Sequence, residues 1–296
     1  MRLLSIVPWL VLVAPVLAAD SPEGGDSRTV VEQALDRDRA LMSYSGTFLP
    51  HRPSYLLFAT WADRVNQVPS TPAYQSEPVA TRLQQTETKF QLSFKVPVLT
   101  GMFDNRTRLW AAYTQQSHWQ AYNWERSSPF RETNFEPEIF LSHEPGWELG
   151  DGRFEVFRLG FNHESNGREE PFSRSWNRLK GEVVFSTNRW VFALSPWYRI
   201  PESADEDDNP DIDQYLGYGD LRVIYKAAGR YTVDARLLNN LRSDHNRTSV
   251  ELNFSVPLND TFSAHFQYYN GYGETLIDYN ERIHRVGIGV SLNSLQ

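Results

Sequence analysis

The segment Val250-Glu-Leu-Asn-Phe-Ser-Val-Pro-Leu258 decides the fold class of this chain. Its apolar residues occupy every second position, and Glu251, Asn253 and Ser255 lie between them. Successive side chains of an extended strand point to opposite faces, so this alternation gives one apolar face and one polar face. The pattern predicts a β-strand whose two faces lie in different environments.

Similar segments recur along the chain, and their number and spacing predict how they assemble. We recognise twelve of them, near residues 54–61, 88–98, 107–118, 134–142, 153–165, 173–186, 190–200, 214–226, 231–240, 248–258, 261–271 and 282–293. Short connections at 186–188, 227–230 and 258–260 alternate with long ones near 62–87, 119–133, 199–213 and 271–281. An even strand number, with short turns at one rim and long loops at the other, is typical of an outer-membrane barrel. A water-soluble β-sandwich, the alternative, would need neither feature. We therefore predict an all-β fold, a 12-stranded antiparallel transmembrane β-barrel.

Composition is consistent with an exported barrel. The 296 residues include no cysteine, so no disulfide stabilises the chain in an oxidising compartment. Aromatic residues make up 14% of the chain, yet its mean hydropathy is only -0.52, because only every second residue of a barrel strand faces lipid. The net charge of -8 argues against a nucleic-acid partner, which would require a basic surface.

The first residues have the features of a secretory signal peptide. Arg2 precedes an apolar stretch from Leu3 to Leu17, and the small residues Ala18 and Ala19 follow it. A single membrane anchor is the alternative, but the apolar run is short for a spanning helix. We predict a signal peptide at 1–19, bacterial outer-membrane localisation and no other apolar spanning segment.

The remaining chain divides into two parts. Residues 20–53 are polar, with one weakly helical patch from Val30 to Met42, and we expect an N-terminal periplasmic segment that is partly ordered at best. Residues 54–296 form the predicted barrel. Eight charged residues lie at the alternate strand positions whose side chains point into the barrel (inward parity), where they can pair with one another. They are Arg158, Arg178, Lys180, Glu182, Arg222, Asp234, Arg236 and Glu251. The acidic run from Glu202 to Asp213 is expected to be a solvated outer loop, with a metal site as the minor alternative.

The candidate catalytic residues lie in the stretch from Gly160 to Asn177. His163 and Ser165 are two positions apart on a predicted strand, so their side chains share a face with Phe161. Asn177 follows across a loop of residues 166–172 and has the outward parity of its own strand. We predict that Ser165 is a nucleophile activated by His163 as base, and that Asn177 orients the imidazole. Glu164, the rival base, has inward parity.

Five blocks of this chain resemble one known family, the outer membrane phospholipase A family of Gram-negative bacteria. The blocks are Tyr113–Gln120, Ser127–Pro137, Gly160–Asn177, Asp208–Tyr218 and Gly271–Asn280, and they occur in the family's order. The resemblance extends from about Ser54 to the C-terminus. It implies a calcium-dependent phospholipase of the outer membrane, with His163, Ser165 and Asn177 as its catalytic residues facing the outer leaflet.

The resemblance also implies residue roles that no pattern in the sequence would indicate. The carbonyl of Arg168 and the side chain of Ser173 would bind Ca²⁺, together with the carbonyl of Ser127 from a second subunit. Gly167 would donate its main-chain N–H to an oxyanion. An active homodimer follows from shared ligation. Gln115, an amide at lipid-facing parity, is a candidate interface residue because a second barrel could supply its partner; a Gln that reaches interfacial water is the alternative.

The chain departs from the family pattern at two positions. Phe135 stands where an aromatic residue with a hydroxyl is more usual, and the chain ends in Gln296 rather than an aromatic residue. We expect a phospholipid substrate, with phospholipase A and lysophospholipase activity under control of dimerisation. The alternative is a non-enzymatic porin or adhesin barrel whose function resides in its outer loops.

Overall fold

The structure, a computed structural model, describes residues 28–42, 47–74, 78–79, 82–103, 105–227 and 229–293. Within these ranges the regular secondary structure is almost entirely sheet. The strands are β1 (Leu49–Pro50), β2 (Tyr55–Ala62), β3 (Thr86–Met102), β4 (Thr107–Trp119), β5 (Phe130–His143), β6 (Trp147–Leu149), β7 (Gly152–Ser165), β8 (Ser175–Ser186), β9 (Trp190–Ile200), β10 (Gly219–Ala227), β11 (Tyr231–Asn239), β12 (Thr248–Pro257), β13 (Phe262–Gly271) and β14 (Ile283–Leu292). The helices are α1 (Val30–Leu41), a 3-10 turn (Trp124–Arg126) and α2 (Asp213–Leu216).

Twelve of these strands close into one antiparallel barrel, which confirms the predicted fold class. Each pairs with the next along the chain, from β2 to β14. The sheet closes where β14 pairs with β2, with Val286 opposite Trp61. Closure leaves no barrel strand with an unpaired edge. The short strands β1 and β6 lie outside the cycle, paired with β3 and β7 respectively.

The two faces of the barrel wall differ as the alternation predicts. Leu159 and Leu179 point outward and are 57% and 46% exposed, whereas Arg178, next to Leu179, points inward and is 4% exposed. The inward charges are paired. Arg158 lies 2.6 Å from Glu182, and Arg236 lies 2.8 Å from Asp220. An apolar exterior and a paired, charged interior are what a barrel in a bilayer requires.

The connections at the two ends of the barrel differ in length, as expected. The short-turn rim carries the connections 103–106, 144–151, 187–189, 228–230 and 258–261. The long-loop rim carries the connections 63–85, 120–129, 166–174, 201–218, 240–247 and 272–282.

One predicted strand begins too early. We expected strand over 214–226, but Asp213–Leu216 form α2 and β10 begins only at Gly219. The helix places Ile212 and Leu216, four positions apart, in an apolar cluster with Trp176 and Trp197. Gly217 then ends the helix with a φ of 68°, a conformation that glycine adopts readily.

The acidic run is not the uniformly solvated loop that we expected. Residues 203–206 are exposed, but Asp208 and Asn209 are buried. Asp208 accepts hydrogen bonds from Tyr74 Oη at 2.6 Å and Ser173 Oγ at 2.7 Å, so hydroxyls of neighbouring loops offset its burial. The hydrogen bond from Tyr74 to Asp208 also raises the pKa of Tyr74, because ionising the phenol would place a second negative charge beside the carboxylate.

The predicted helical patch forms α1, and this part of the N-terminal segment is packed rather than loosely attached. Val30 is 2% exposed and contacts an apolar cluster containing Val156 and Val184 at the short-turn rim. Its N–H donates to the Thr187 carbonyl at 3.1 Å. The proposed signal peptide and Gln296 lie outside the described residues, and the periplasmic assignment stays a prediction. No helix in the described ranges has the length and apolarity needed to cross a bilayer.

Candidate active site

The three predicted catalytic residues lie together on the outer wall of the barrel at the long-loop rim. His163 and Ser165 lie at the end of β7, next to the turn that leads to β8, and Asn177 lies near the start of β8. All three side chains are half-buried, and they share the face of Phe161 and Leu179, which are 42% and 46% exposed. The outward orientation follows from strand parity, because side chains two positions apart point the same way.

His163 and Asn177 are direct cross-strand neighbours. The β7–β8 register places the two residues opposite each other, and the imidazole Nδ1 lies 2.9 Å from the Asn177 Oδ1. An amide oxygen only accepts, so this contact assigns the proton to Nδ1 and leaves the Nε2 lone pair free. A neutral imidazole held in this tautomer can act as a general base.

Ser165 is the last residue of β7, at the long-loop rim. Its Cα partners are Ser175 on β8 and Phe135 on β5. Phe135 therefore flanks Ser165, the predicted nucleophile. Among the described residues no hydrogen bond involves the Ser165 hydroxyl, so the structure joins His163 to Asn177 but does not join Ser165 to His163.

Glu164, the rival base, points into the lumen as its parity predicts. Its carboxylate accepts from Arg178 Nη2 at 2.7 Å and from the Trp176 indole N–H at 3.0 Å. Both partners belong to the barrel interior, where Trp176 is 1% exposed. Glu164 is therefore part of the lumen network and cannot accept a proton from Ser165.

The turn between β7 and β8 is held closed by Asn166. Its N–H donates to the Arg174 carbonyl at 3.0 Å, and its amide Nδ2 donates to the Phe172 carbonyl at 2.9 Å. Gly167 follows with a φ of 63°, and an added Cβ there would lie 3.3 Å from the Phe135 ring. Both the backbone conformation and the close ring favour glycine at this position.

The donor set predicted for Ca²⁺ consists of oxygen atoms, which calcium prefers. Arg168 and Ser173 lie on the same closed turn, and Ser173 Oγ donates to Asp208 Oδ2 at 2.7 Å, so a carboxylate lies beside the predicted ligand. Ser127, on the loop between β4 and β5, has a φ of 60°, a left-handed conformation that turns the chain sharply at its carbonyl. Within the described ranges no three His, Cys, Asp or Glu side chains form a metal-binding cluster. The residues present fit a cation held by carbonyl and hydroxyl oxygens.

Gln115 lies at outward parity on β4, as predicted, but its amide already has partners within the chain. Tyr113 Oη donates to its Oε1 at 3.0 Å, and its Nε2 donates to Ser117 Oγ at 3.2 Å. These bonds reduce the cost of an amide facing lipid. A second barrel is therefore not needed to satisfy Gln115, and its place in a dimer interface stays a prediction.

Sequence reasoning missed one side chain of this site. Glu202, in the loop 201–218, accepts a hydrogen bond from Asn177 Nδ2 at 2.7 Å. Burial raises the pKa of this carboxyl, and the bond from Asn177 opposes that effect. Because the loop has no periodicity, only the acidic character of the run could have indicated Glu202.

The family profile and the relatives of similar sequence point to one family. The profile of the Phospholipase A1 family matches residues 31–292. Phospholipase A1 of Klebsiella pneumoniae is 38% identical over 260 residues, which cover 88% of this chain and 85% of that protein. Outer membrane phospholipase A from Escherichia coli has a solved structure with a TM-score of 0.76 and 37% identity, covering 84% of this chain and 100% of that one. The Salmonella typhi outer membrane phospholipase, solved as a dimer with bound calcium, has a TM-score of 0.77 and 34% identity, covering 88% and 97%.

Proposed function

The chain belongs to the phospholipase A1 family and is an outer-membrane enzyme, and we propose that it hydrolyses acyl esters of glycerophospholipids. The observation that carries this proposal is the 2.9 Å contact between His163 Nδ1 and Asn177 Oδ1, on the same outward face as Ser165. Acyl esters of a bilayer lie at the depth of a barrel rim. A hydrolytic triad that faces lipid there meets its substrate directly.

The chemistry follows from the three side chains. Ser165 Oγ attacks the ester carbonyl while His163 Nε2 takes its proton. The imidazolium, held by Asn177, then protonates the departing alkoxide, which leaves as the lysolipid. Water enters, His163 removes a proton from it, and the acyl-enzyme is hydrolysed to a fatty acid. A lysophospholipid presents the same type of ester, so the same residues would act on it.

The oxyanion of the tetrahedral intermediate needs positive charge or N–H donors. Gly167 would donate its main-chain N–H from the turn that follows Ser165. Arg168 and Ser173 would hold Ca²⁺ on the same turn, with the Ser127 carbonyl of a second subunit. When bound, calcium would supply positive charge beside the developing oxyanion.

We further propose that activity depends on dimerisation at the outer leaflet. The proposed ligand set is complete only when two chains meet, because Arg168 and Ser173 lie on one turn while Ser127 comes from the partner. Membrane disturbance that brings phospholipid to the outer leaflet would then favour both substrate binding and dimerisation.

The lumen supports an enzyme over the porin alternative. At the long-loop rim, loop residues including Leu276 and Tyr279 pack against the inward Trp176 and Trp197. At the short-turn rim, α1 packs against a second apolar cluster. Between these two clusters lies a cavity of about 220 Å³, lined by charged side chains such as Arg178, Lys180 and Glu251.

A direct test uses the refolded protein in mixed micelles of a short-chain phospholipid. We expect hydrolysis with calcium, little with EDTA, and a loss of at least about 10³-fold in kcat for Ser165→Ala. Ser175→Ala is the matched control, because Ser175 is the cross-strand neighbour of Ser165 and shares its outward parity. Sulfonyl-fluoride labelling should modify Ser165 and spare Ser175. A folded wild-type dimer that is inactive with ample calcium would refute the proposal.

A further inference from the structure

The Asn177 amide has two partners, and the second is an acid. While its Oδ1 faces His163, its Nδ2 donates to Glu202 Oε1 at 2.7 Å. Glu202 reaches this position because Asn177 pairs with Ile200, the last residue of β9, and the chain leaves the strand there. The three side chains therefore form a continuous hydrogen-bonded line that ends in a carboxylate.

This arrangement fixes which way the amide points. An ionised carboxylate only accepts hydrogen bonds, so Asn177 must present its NH₂ group to Glu202 and its oxygen to His163. Without such an acceptor, the two ends of an Asn amide can exchange places by a half-turn. An inverted amide would present N–H to His163 Nδ1, and the proton would then move to Nε2. With its lone pair occupied by that proton, Nε2 could no longer act as the base.

The arrangement also brings negative charge close to the imidazole. A neutral Asn stabilises a developing imidazolium less than the carboxylate of the usual triad does. A carboxylate on the NH₂ side polarises the amide and makes its oxygen a stronger acceptor, because hydrogen bonds in a chain reinforce one another. Glu202 thus supplies part of the negative charge that the neutral Asn177 side chain does not provide.

The surroundings of Glu202 leave Asn177 as the described hydrogen-bond partner of its carboxylate, while burial and the nearby Asp207 and Asp208 raise its pKa. Its Oε2 is buried and has no hydrogen-bond partner among the described residues, so Asn177 is the group to which the carboxylate is directed. The charged groups that act on it are Arg199 at the end of β9 and Asp207 and Asp208 of its own loop. Arg199 is bound to Asp207 at 2.6 Å, which leaves the charge of Glu202 largely unpaired.

From these contacts we propose that Glu202 is a positioning residue for the hydrolytic reaction, acting through Asn177 to hold His163 in its basic tautomer and to stabilise the imidazolium. The inference rests on the proposed function. The competing role is purely structural, in which Glu202 only attaches the loop 201–218 to the barrel. That role would change stability without changing how the rate depends on pH.

Glu202→Gln tests the proposal, because it keeps the side-chain length and removes the charge. We expect kcat to fall about 10-fold with KM nearly unchanged, the loss of one charge-assisted hydrogen bond at the transition state. The acid limb of the kcat/KM profile should move to lower pH, since less negative charge then stabilises the imidazolium. Glu206→Gln is the matched control: Glu206 is exposed in the same loop and accepts from Ser203 Oγ at 2.8 Å.

A double-mutant cycle tests the proposal independently, because it predicts that the effect of Glu202→Gln on activity changes sign. In Asn177→Asp, two carboxylates would face each other, so adding Glu202→Gln should raise activity instead of lowering it. This comparison remains informative if Glu202→Gln alone folds poorly. Equal kcat and equal pH profiles for Glu202→Gln and Glu206→Gln, with wild type active and Ser165→Ala inactive, would overturn the inference and leave the proposed function standing. Loss of hydrolysis in wild type itself would overturn the proposed function.

Discussion

At the scale of single residues, the site depends on one register of one strand pair. His163 lies opposite Asn177 because β7 and β8 pair in that register, and both side chains then face outward. A shift by one residue would turn the imidazole into the lumen, among the charges that surround Glu164. The long β7–β8 pairing, from Arg153 to Ser165, makes such a shift costly.

Asn177→Ala removes the group that orients the imidazole. We expect kcat to fall about 10²-fold, because a small misplacement of a catalytic group has an effect of that size. Binding of substrate should change little, since the amide contacts His163 and Glu202 rather than the ester. Steady-state kinetics on a short-chain phospholipid measures both parameters. A variant with wild-type kcat would show that Asn177 has no part in catalysis.

Gly167→Ala separates backbone strain from chemistry. Its φ of 63° and the Phe135 ring 3.3 Å from an added Cβ should cost stability and displace the main-chain N–H that we assign to the oxyanion. Gly229→Ala is the control, with a φ of 67°, no atom within 4 Å and a position at the opposite rim. Both substitutions should lower unfolding free energy by about 1–2 kcal/mol. Only Gly167→Ala should lower kcat, and equal activities would argue against the oxyanion role.

At the scale of elements, the strands could be predicted because their alternation is physical. Each barrel strand has lipid on one side and a charged lumen on the other, so the sequence carries the period directly. For β9, which the pattern placed at 190–200, the bounds agree with the structure. The prediction failed at α2, where Leu216 and Tyr218 mimic alternation although Ile212 and Leu216 pack as one helical face.

The site was predictable only where it lies on strands. Parity placed His163, Ser165 and Asn177 on one outer face, and the register then brought two of them into contact. Glu202 and the buried Asp208 lie in a loop, whose path is set by contacts that no local pattern encodes. The docking of α1 was missed for the same reason, since its partners Lys95 and Thr187 are distant in sequence.

The N-terminal helix should be separable from catalysis. Thr29 caps α1 by accepting from the Glu32 N–H at 3.1 Å, and its hydroxyl donates to Glu155. Thr29→Ala should cost about 1 kcal/mol of local stability. Hydrogen exchange of the α1 amides should then accelerate, while kcat is unchanged because α1 lies at the opposite rim. Thr29→Ser, which keeps the hydroxyl, is the control. Slower hydrolysis in Thr29→Ala would instead link the two rims.

At the scale of the whole molecule, closure of the barrel is what would allow the proposed catalytic residues to act on the outside. The charges of the strands are directed inward, where pairs such as Arg158–Glu182 satisfy them. The outward strand positions then carry apolar side chains such as Leu159 and Leu179, and the polar groups of the candidate site lie at the rim, where Glu202 is a charged neighbour of Asn177. The ion pairs that stabilise the barrel and the proposed catalytic residues thus lie on opposite faces of the same strands.

If two subunits share each calcium ion, then calcium and dimerisation must be linked. An ion that binds the dimer better than the monomer shifts the equilibrium toward the dimer, and dimerisation raises calcium affinity by the same factor. Sedimentation in detergent micelles should therefore detect more dimer with calcium than with EDTA. Ser173→Ala should weaken this calcium dependence, because it removes a proposed ligand. Ser203→Ala, an exposed serine of the neighbouring loop, should not. A dimer fraction that is the same with and without calcium in the wild type would exclude ligation shared between subunits.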